Sequence, residues 1–133
     1  MKMKYGFTSN LNIALIDDCY WQLTAPLKYK SLRFGEILVP GGFETDLASV
    51  PRVPIIYELW GSRVHREAVL HDFVYCHDSI PHLTFCDANS LFLEAMESRG
   101  VAWHIRYPIY YGVTICGLPF FGKRSYLSKI DCK

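Results

Sequence analysis

The ionisable pair His71 and Asp72 lies in the middle of an apolar segment, EAVLHDFVYCHD, at residues 67–78. Helix cores rarely accept adjacent ionisable groups without a partner or a function. Tyr75 follows His71 by four residues, so the two side chains lie one turn apart on one face of a helix. A histidine held on a rigid helix is suited to act as a general base.

A second carboxylate is needed to orient the His71 ring, because Asp72 points about a quarter-turn away from it. Asp87, on the next predicted helix, is the natural supplier. If the two helices pack antiparallel across the loop 77–83, His71 and Asp87 meet near their interface. Asp72 is then available to bind a hard cation together with backbone carbonyl groups of a loop.

Each of these residues also has a purely structural interpretation. His71 fits a core histidine bonded to a backbone carbonyl, and Tyr75 fits a packed aromatic residue. Thr84-x-x-Asp87 is a capping box, in which the carboxylate returns to the Thr84 amide. Residues 77–78 repeat the His-Asp dipeptide at the end of the same helix, so the dipeptide alone is a weak signal.

The elements that must position these residues change along the chain. Apolar and aromatic residues alternate or occur in short runs in two stretches, 19–31 and 33–43. This pattern predicts a small antiparallel sheet. Helices are predicted over 62–76, from Thr84 to residue 100, and from residue 101 onward with a kink at Pro108. We therefore predict a single α+β domain, residues 1–133, divided into a strand-rich part (1–50), a helical part with two or three packed helices (51–120) and a basic tail (121–133).

Composition excludes several classes of protein. A formal net charge of +1 argues against a nucleic-acid partner. Five cysteines without a CxxC pair favour reduced thiols over a disulfide framework or a zinc site. The first residues lack the apolar stretch of a signal peptide, so secretion by that route is not expected. Residues 107–121 are uncharged and apolar, but shorter than the roughly 20 residues of a spanning helix, which leaves a buried helix or a lipid-touching face.

Three blocks of sequence resemble one known family. VPGGFETDLASVPR, AVLHDFVY and DANSLFLEAM occur in this order between residues 39 and 96. They closely resemble domain of unknown function 1353, a family of tailed phages and prophages, with a match that covers roughly residues 20–115. The resemblance implies a phage or prophage origin and no established activity. It also implies synthesis in the bacterial host cytoplasm, with incorporation into the phage particle as a further expectation.

A shorter resemblance concerns the first two helices. HDFVY, followed sixteen positions after its histidine by Asp87, is similar to the active-site helices of phospholipase A2, above all the disulfide-free form in parvovirus capsids. It implies a phospholipase A2-like helical core with His71 as the base that activates water. Asp87 would orient His71, Tyr75 would support the network, and Asp72 would bind calcium. Calcium would polarise the ester carbonyl and offset the developing oxyanion charge.

The glycine-rich calcium loop of those enzymes is not recognisable upstream of His71. Gly41 and Gly42, with Asp46 in the following loop, are the only candidates to replace it. Glycines permit close backbone approach to an ion, and an aspartate adds a charged ligand. The alternative is a β-turn followed by an aspartate that braces the loop.

Three functional hypotheses follow from these residues. The first is a phage-encoded hydrolase in which His71 and Asp87 activate water against a phospholipid-like acyl ester, with residues 107–121 touching a membrane surface. The second is a non-catalytic virion protein of head or tail, which contacts other virion proteins. The third is a metal-dependent cell-wall or phosphoester hydrolase with a site formed by Asp46, His71 and Asp72.

Overall fold

The computed structural model describes residues 5–17, 20–45, 65–116, 118 and 121–127. Within these residues six strands precede three helices, which confirms the predicted α+β class. The strands are β1 (Gly6–Phe7), β2 (Ile13–Asp17), β3 (Tyr20–Leu23), β4 (Leu27–Ser31), β5 (Gly35–Val39) and β6 (Glu44–Thr45). The helices are α1 (His65–Val74), α2 (Phe85–Ser98) and α3 (Trp103–Cys116).

The strands form two small sheets, where the sequence predicted one. One sheet has the order β1-β4-β5 and the other β2-β3-β6, and every pairing is antiparallel. β4 shows the alternation of a strand with one buried face, since Leu27, Tyr29 and Ser31 are buried while Lys28 and Lys30 are exposed. The short β6 pairs with β3 and thereby brings Thr45 beside Trp21.

The main core lies between the strands and the first two helices. The strands contribute Leu23, Leu27, Tyr29, Ile37 and Val39, and Phe43 lies just before β6. The helix α1 contributes Val69, Leu70, Phe73 and Val74, and α2 contributes Ala88, Leu91 and Ala95. A second cluster of Ala68, Phe92, Met96, Ile109 and Val113 joins all three helices. Since α2 supplies residues to both clusters, it is the element that fixes the positions of α1 and α3.

The ends of α2 agree with their sequence signals. Thr84 is the N-cap, as predicted, and its hydroxyl accepts a hydrogen bond from the Asp87 amide at 3.1 Å, one of the two bonds of a capping box. The Asp87 carboxylate, predicted to return to the Thr84 amide, lies beside Arg33. Arg99 closes the helix, and Gly100 follows with φ +75°, a conformation that glycine adopts without strain. The predicted start of the first helix at Ser62 lies outside the described residues.

Residues 121–127, where a basic tail was predicted, pack over the carboxyl end of α1. The Gly122 amide donates to the Tyr75 carbonyl at 2.8 Å, and the His77 amide donates to the Arg124 carbonyl at 2.9 Å. The Phe121 ring lies 5.2 Å from the Tyr75 ring. The segment therefore satisfies backbone groups that the end of a helix leaves without partners.

Candidate functional site

His71 lies on the face of α1 that packs against α2. Its side chain is 1% exposed. The centre of its ring lies 4.0 Å from the centre of the Tyr75 ring and 4.6 Å from the centre of the Phe92 ring. Nε2 of His71 is 3.0 Å from Oδ1 of Asn89 on α2. The group that holds this imidazole is thus an amide.

Asn89 connects two donors through one oxygen. The Tyr75 hydroxyl also donates to Oδ1 of Asn89, at 2.7 Å. Because a carbonyl oxygen only accepts, Nε2 of His71 carries the proton with the amide in this orientation. Nδ2 of Asn89 is buried and has no hydrogen-bond partner among the described residues. We call His71, Tyr75 and Asn89 the polar cluster.

Burial keeps the polar cluster uncharged at neutral pH. It lowers the pKa of His71 to about 4, and the hydrogen bond to Asn89 acts in the opposite direction. Burial also raises the pKa of Tyr75 above its ordinary value. A general base works best when its pKa lies near the operating pH and when it reaches the water that it deprotonates. The sealed His71 ring has neither property.

The expected hydrogen bond between His71 and Asp87 is replaced by the one to Asn89. Asp87 lies in the first turn of α2, where its carboxylate is 3.6 Å from the guanidinium of Arg33 and its side chain is 35% exposed. Asn89 is two residues further along, about 200° around the helix axis. Because Asn89 faces α1, Asp87 faces away from it. Thr84 is the N-cap at the start of the same helix.

Asp72 faces a different neighbour from His71. Its carboxylate is buried and accepts a hydrogen bond from the Thr45 hydroxyl at 2.5 Å, which ties α1 to β6. One turn on, the Cys76 thiol donates to the Asp72 backbone carbonyl at 3.4 Å. Burial raises the pKa of Cys76 to about 12, so this thiol is unreactive at neutral pH.

The structure places Gly41 and Gly42 in a turn. The Gly42 amide donates to the Leu23 carbonyl at 2.7 Å, and its φ of +88° is the kind that glycine permits. Asp46, the third candidate ligand, lies outside the described residues. Across the part of the chain that is described, no group of three or more His, Cys, Asp or Glu side chains is placed to hold a metal ion.

A second buried polar contact joins α1 and α2 at the other end of α1. The Glu67 carboxylate is fully buried and lies 3.2 Å from Nη1 of Arg99. Burial raises the pKa of Glu67, while the charge of Arg99 lowers it. Like Asp72 and His71, Glu67 is therefore a buried polar group of α1 whose partner belongs to another element.

Sequence reasoning missed Asn89 and Thr45. A signal for Asn89 is present in the sequence, since it lies three residues before Phe92 within the apolar stripe of α2. A polar residue inside such a stripe is buried and needs a partner. Thr45 has no comparable signal, because its position depends on the pairing of β6 with β3, which are distant in sequence.

Fold and site together define an α+β domain whose first two helices enclose an uncharged polar cluster. The chain belongs to the family described as Protein of unknown function (DUF1353), whose model matches residues 21–113. That span contains the whole polar cluster and most of α3. Nothing among the curated proteins and nothing among the solved structures matches the chain.

Proposed function

We propose that this protein is a non-catalytic structural component of a phage particle, in which the helix pair serves as a scaffold. The observation that carries the proposal is the state of His71. Its ring is 1% exposed and bonded to an amide, and burial holds its pKa at about 4. An imidazole in this state contributes to packing and is sealed from solvent.

The remaining polar groups of α1 support the same proposal. Asp72 bonds Thr45 of β6, and Glu67 pairs with Arg99 at the end of α2. Each of these contacts joins α1 to a different element, so together they fix its position relative to a sheet and a helix. Fully used polar groups of this kind specify one arrangement of a fold.

An apolar recess offers a surface for assembly. It has a volume of about 290 Å³ and is lined by Leu38, Pro40, Phe73, Ile80 and Tyr126. Ile80 is 73% exposed and Leu38 is 51% exposed. Exposed apolar surface around a concave recess is typical of protein interaction sites. In the proposed function, apolar side chains of a neighbouring virion protein occupy the recess.

The test is incorporation into particles. Phage particles made with the wild-type protein, with Ile80→Asp or with His82→Asp are washed on a density gradient and analysed by mass spectrometry. We expect the wild type and His82→Asp, a change at an exposed position, to be present in fixed stoichiometry, and Ile80→Asp to be lost. Absence of the wild-type protein from washed particles overturns the proposal. Equal incorporation of both variants would show that the recess is not the surface through which the protein enters the particle.

Hydrolysis of a phospholipid-like acyl ester is a second candidate, favoured by the unpartnered Nδ2 of Asn89 beside His71. A buried amide without a partner is costly and is often found at functional sites. In this candidate, the two helices form a phospholipase A2-like core that opens so that His71 activates water. Asp72 would then hold Ca²⁺ with Gly41 and Gly42 of the turn before β6 and with Asp46, which follows β6 in the sequence.

Fatty-acid release from phospholipid micelles separates the two candidates. The wild type and His71→Gln are compared with calcium and with a chelator, after both proteins are shown to be folded by circular dichroism. The scaffold proposal expects no release above buffer from either protein. Calcium-dependent release by the wild type alone would replace it with the hydrolase.

A further inference from the structure

A line of large side chains is exposed along the outer face of α3. Trp103, Tyr107, Tyr111 and Ile115 follow one another at intervals of four residues, and Leu118 lies just beyond the helix. Side chains at this spacing lie one above another on a helix. Their exposed fractions are 68%, 37%, 56%, 77% and 61%. We call these five residues the aromatic stripe.

The opposite face of α3 is apolar as well. Ile109 and Val113 are fully buried, and they pack with Phe92 and Met96 of α2. A helix that is apolar on all sides is normally covered on all sides. Among the described residues only the inner face has a cover, so the aromatic stripe lacks the partner that its composition requires.

The sequence that contains the aromatic stripe is basic. No Asp or Glu occurs from residue 98 to residue 130, whereas five Lys or Arg residues do. One of them, Arg106, lies on α3 itself, with its guanidinium 5.3 Å from the centre of the Tyr107 ring. An anionic surface in contact with α3 therefore meets an arginine and no carboxylate of that helix.

The extent of the aromatic stripe argues against a second protein molecule. A stable dimer buries about 800 Å² on each partner, spread over about 20–30 residues. The aromatic stripe is a single line of five side chains. A bilayer has no such threshold, because each apolar side chain that enters it adds its own contribution.

We propose that the aromatic stripe seats this protein on an anionic lipid surface, with α3 lying parallel to the bilayer. Trp and Tyr have an apolar body and a polar tip, which suits the headgroup level of a membrane. Ile115 and Leu118 extend the apolar contact at the carboxyl end of the helix. No helix in the described part of the chain is long and apolar enough to cross a membrane. This inference goes beyond the scaffold function, which needs no lipid.

The test is sedimentation of the full chain with sucrose-loaded vesicles. Vesicles of equal parts phosphatidylglycerol and phosphatidylcholine are compared with vesicles of phosphatidylcholine alone, at low and high salt. Ile115→Ser changes the stripe, and Leu127→Ser is the matched control, since these side chains are 77% and 72% exposed and Leu127 lies outside both the stripe and the recess. A double variant, Tyr111→Ser with Ile115→Ser, provides a larger effect.

We expect the wild type to bind the anionic vesicles, and to bind less at high salt. The double variant should lower the partition coefficient about tenfold or more, because two side chains no longer enter the lipid. Leu127→Ser should bind within about twofold of the wild type, because an exposed change elsewhere leaves the stripe intact. Urea unfolding of each variant confirms that it is folded.

Three outcomes overturn the inference. They are failure of the wild type to bind anionic vesicles, an equal loss of binding by Leu127→Ser, and a stripe-dependent dimer in analytical ultracentrifugation, which would make a second copy the occupant. These measurements use the purified chain without particles. Failure here therefore leaves the particle test of the scaffold function unaffected, and the reverse also holds.

Discussion

The polar cluster and the aromatic stripe reverse the usual distribution of side chains. His71 and Asn89, which have the groups for chemistry, are each 1% exposed, whereas Trp103 and Ile115 are 68% and 77% exposed. Titratable residues are normally outside and large apolar residues inside. The difference shows that the chemical reactivity of a side chain does not determine where it lies. In this protein His71 and Asn89 contact each other in the interior, whereas Trp103 and Ile115 face outward.

The two regions should therefore respond to substitution in different ways. The polar cluster depends on one amide oxygen that serves two buried donors. The aromatic stripe has no comparable role in the described interior. A change in the first region should alter the free energy of unfolding, and a change in the second should alter binding alone.

The largest effect on stability is expected from Asn89→Leu. It removes the acceptor of the His71 imidazole and of the Tyr75 hydroxyl, and each buried donor without a partner costs about 1–3 kcal/mol. Urea unfolding should therefore show a loss of about 2–6 kcal/mol. Tyr111→Ser, in the aromatic stripe, should change the same quantity by about 0.5 kcal/mol or less. Equal losses in the free energy of unfolding for the two variants would show that the polar cluster and the aromatic stripe contribute alike to stability.

An intermediate effect is expected from pH. Burial lowers the pKa of His71 to about 4, against about 6.5 in an unfolded chain. Between these values the unfolded chain takes up a proton that the folded protein does not, so the free energy of unfolding falls as the pH falls. The loss is about 1.4 kcal/mol per pH unit and about 3 kcal/mol in total, and above about pH 6.5 this group contributes none.

His71→Gln should remove this part of the pH dependence, because glutamine does not titrate. Burial raises the pKa of Glu67 and so acts in the opposite direction in acid. The informative quantity is therefore the difference in slope between wild type and variant, measured by urea unfolding between about pH 7 and pH 4. His82→Gln, at an exposed histidine, should retain the wild-type slope. An unchanged slope in His71→Gln would mean that the ring is open to water.

The smallest effect is expected from Asp87→Asn. This carboxylate is partly exposed and 3.6 Å from Arg33, so its loss should lower the free energy of unfolding by less than about 1 kcal/mol. Breaking a buried pair with His71 would instead cost about 3–5 kcal/mol. Urea unfolding distinguishes these values, and the larger one would restore the pairing first predicted from the sequence.

Local features of the fold could be predicted from the sequence, and pairings between distant elements could not. The cap at Thr84 and the end of α2 at Arg99 and Gly100 follow from side-chain chemistry within one turn. The division of the strands into two sheets depends on β1 meeting β4 and on β6 meeting β3. No local pattern encodes those registers.

The partner of His71 was missed for a similar reason. Asp87 and Asn89 are both close enough in sequence to reach α1, and only the rotation of α2 about its axis decides between them. Asp87 was chosen as the partner of His71 because a carboxylate can orient an imidazole. The apolar residues of α2 already indicated its buried face, and Asn89 lies on that face. The position of each residue around the helix axis thus predicts the partner of His71 better than the chemistry of its side chain does.

The two alternatives for residues 107–121 correspond to two faces of one helix. A buried helix describes the side of α3 that contains Ile109 and Val113. The exposed side contains Tyr107 and Tyr111, and it is the side for which we propose lipid contact. The sequence did not separate the faces because both are apolar, so the helical pattern has little contrast.

The hydrogen bonds between residues 121–127 and the end of α1 affect how the protein folds during its synthesis. The Ser125 hydroxyl donates to the Asp78 carboxylate across a separation of 47 residues. Contacts of this range form late, because the intervening chain must first be made and its loop closed. On the ribosome, the end of α1 thus stays hydrated until residues 121–127 emerge. A nascent chain stalled before them would contain the sequence of all three helices but not the residues that close the end of the first.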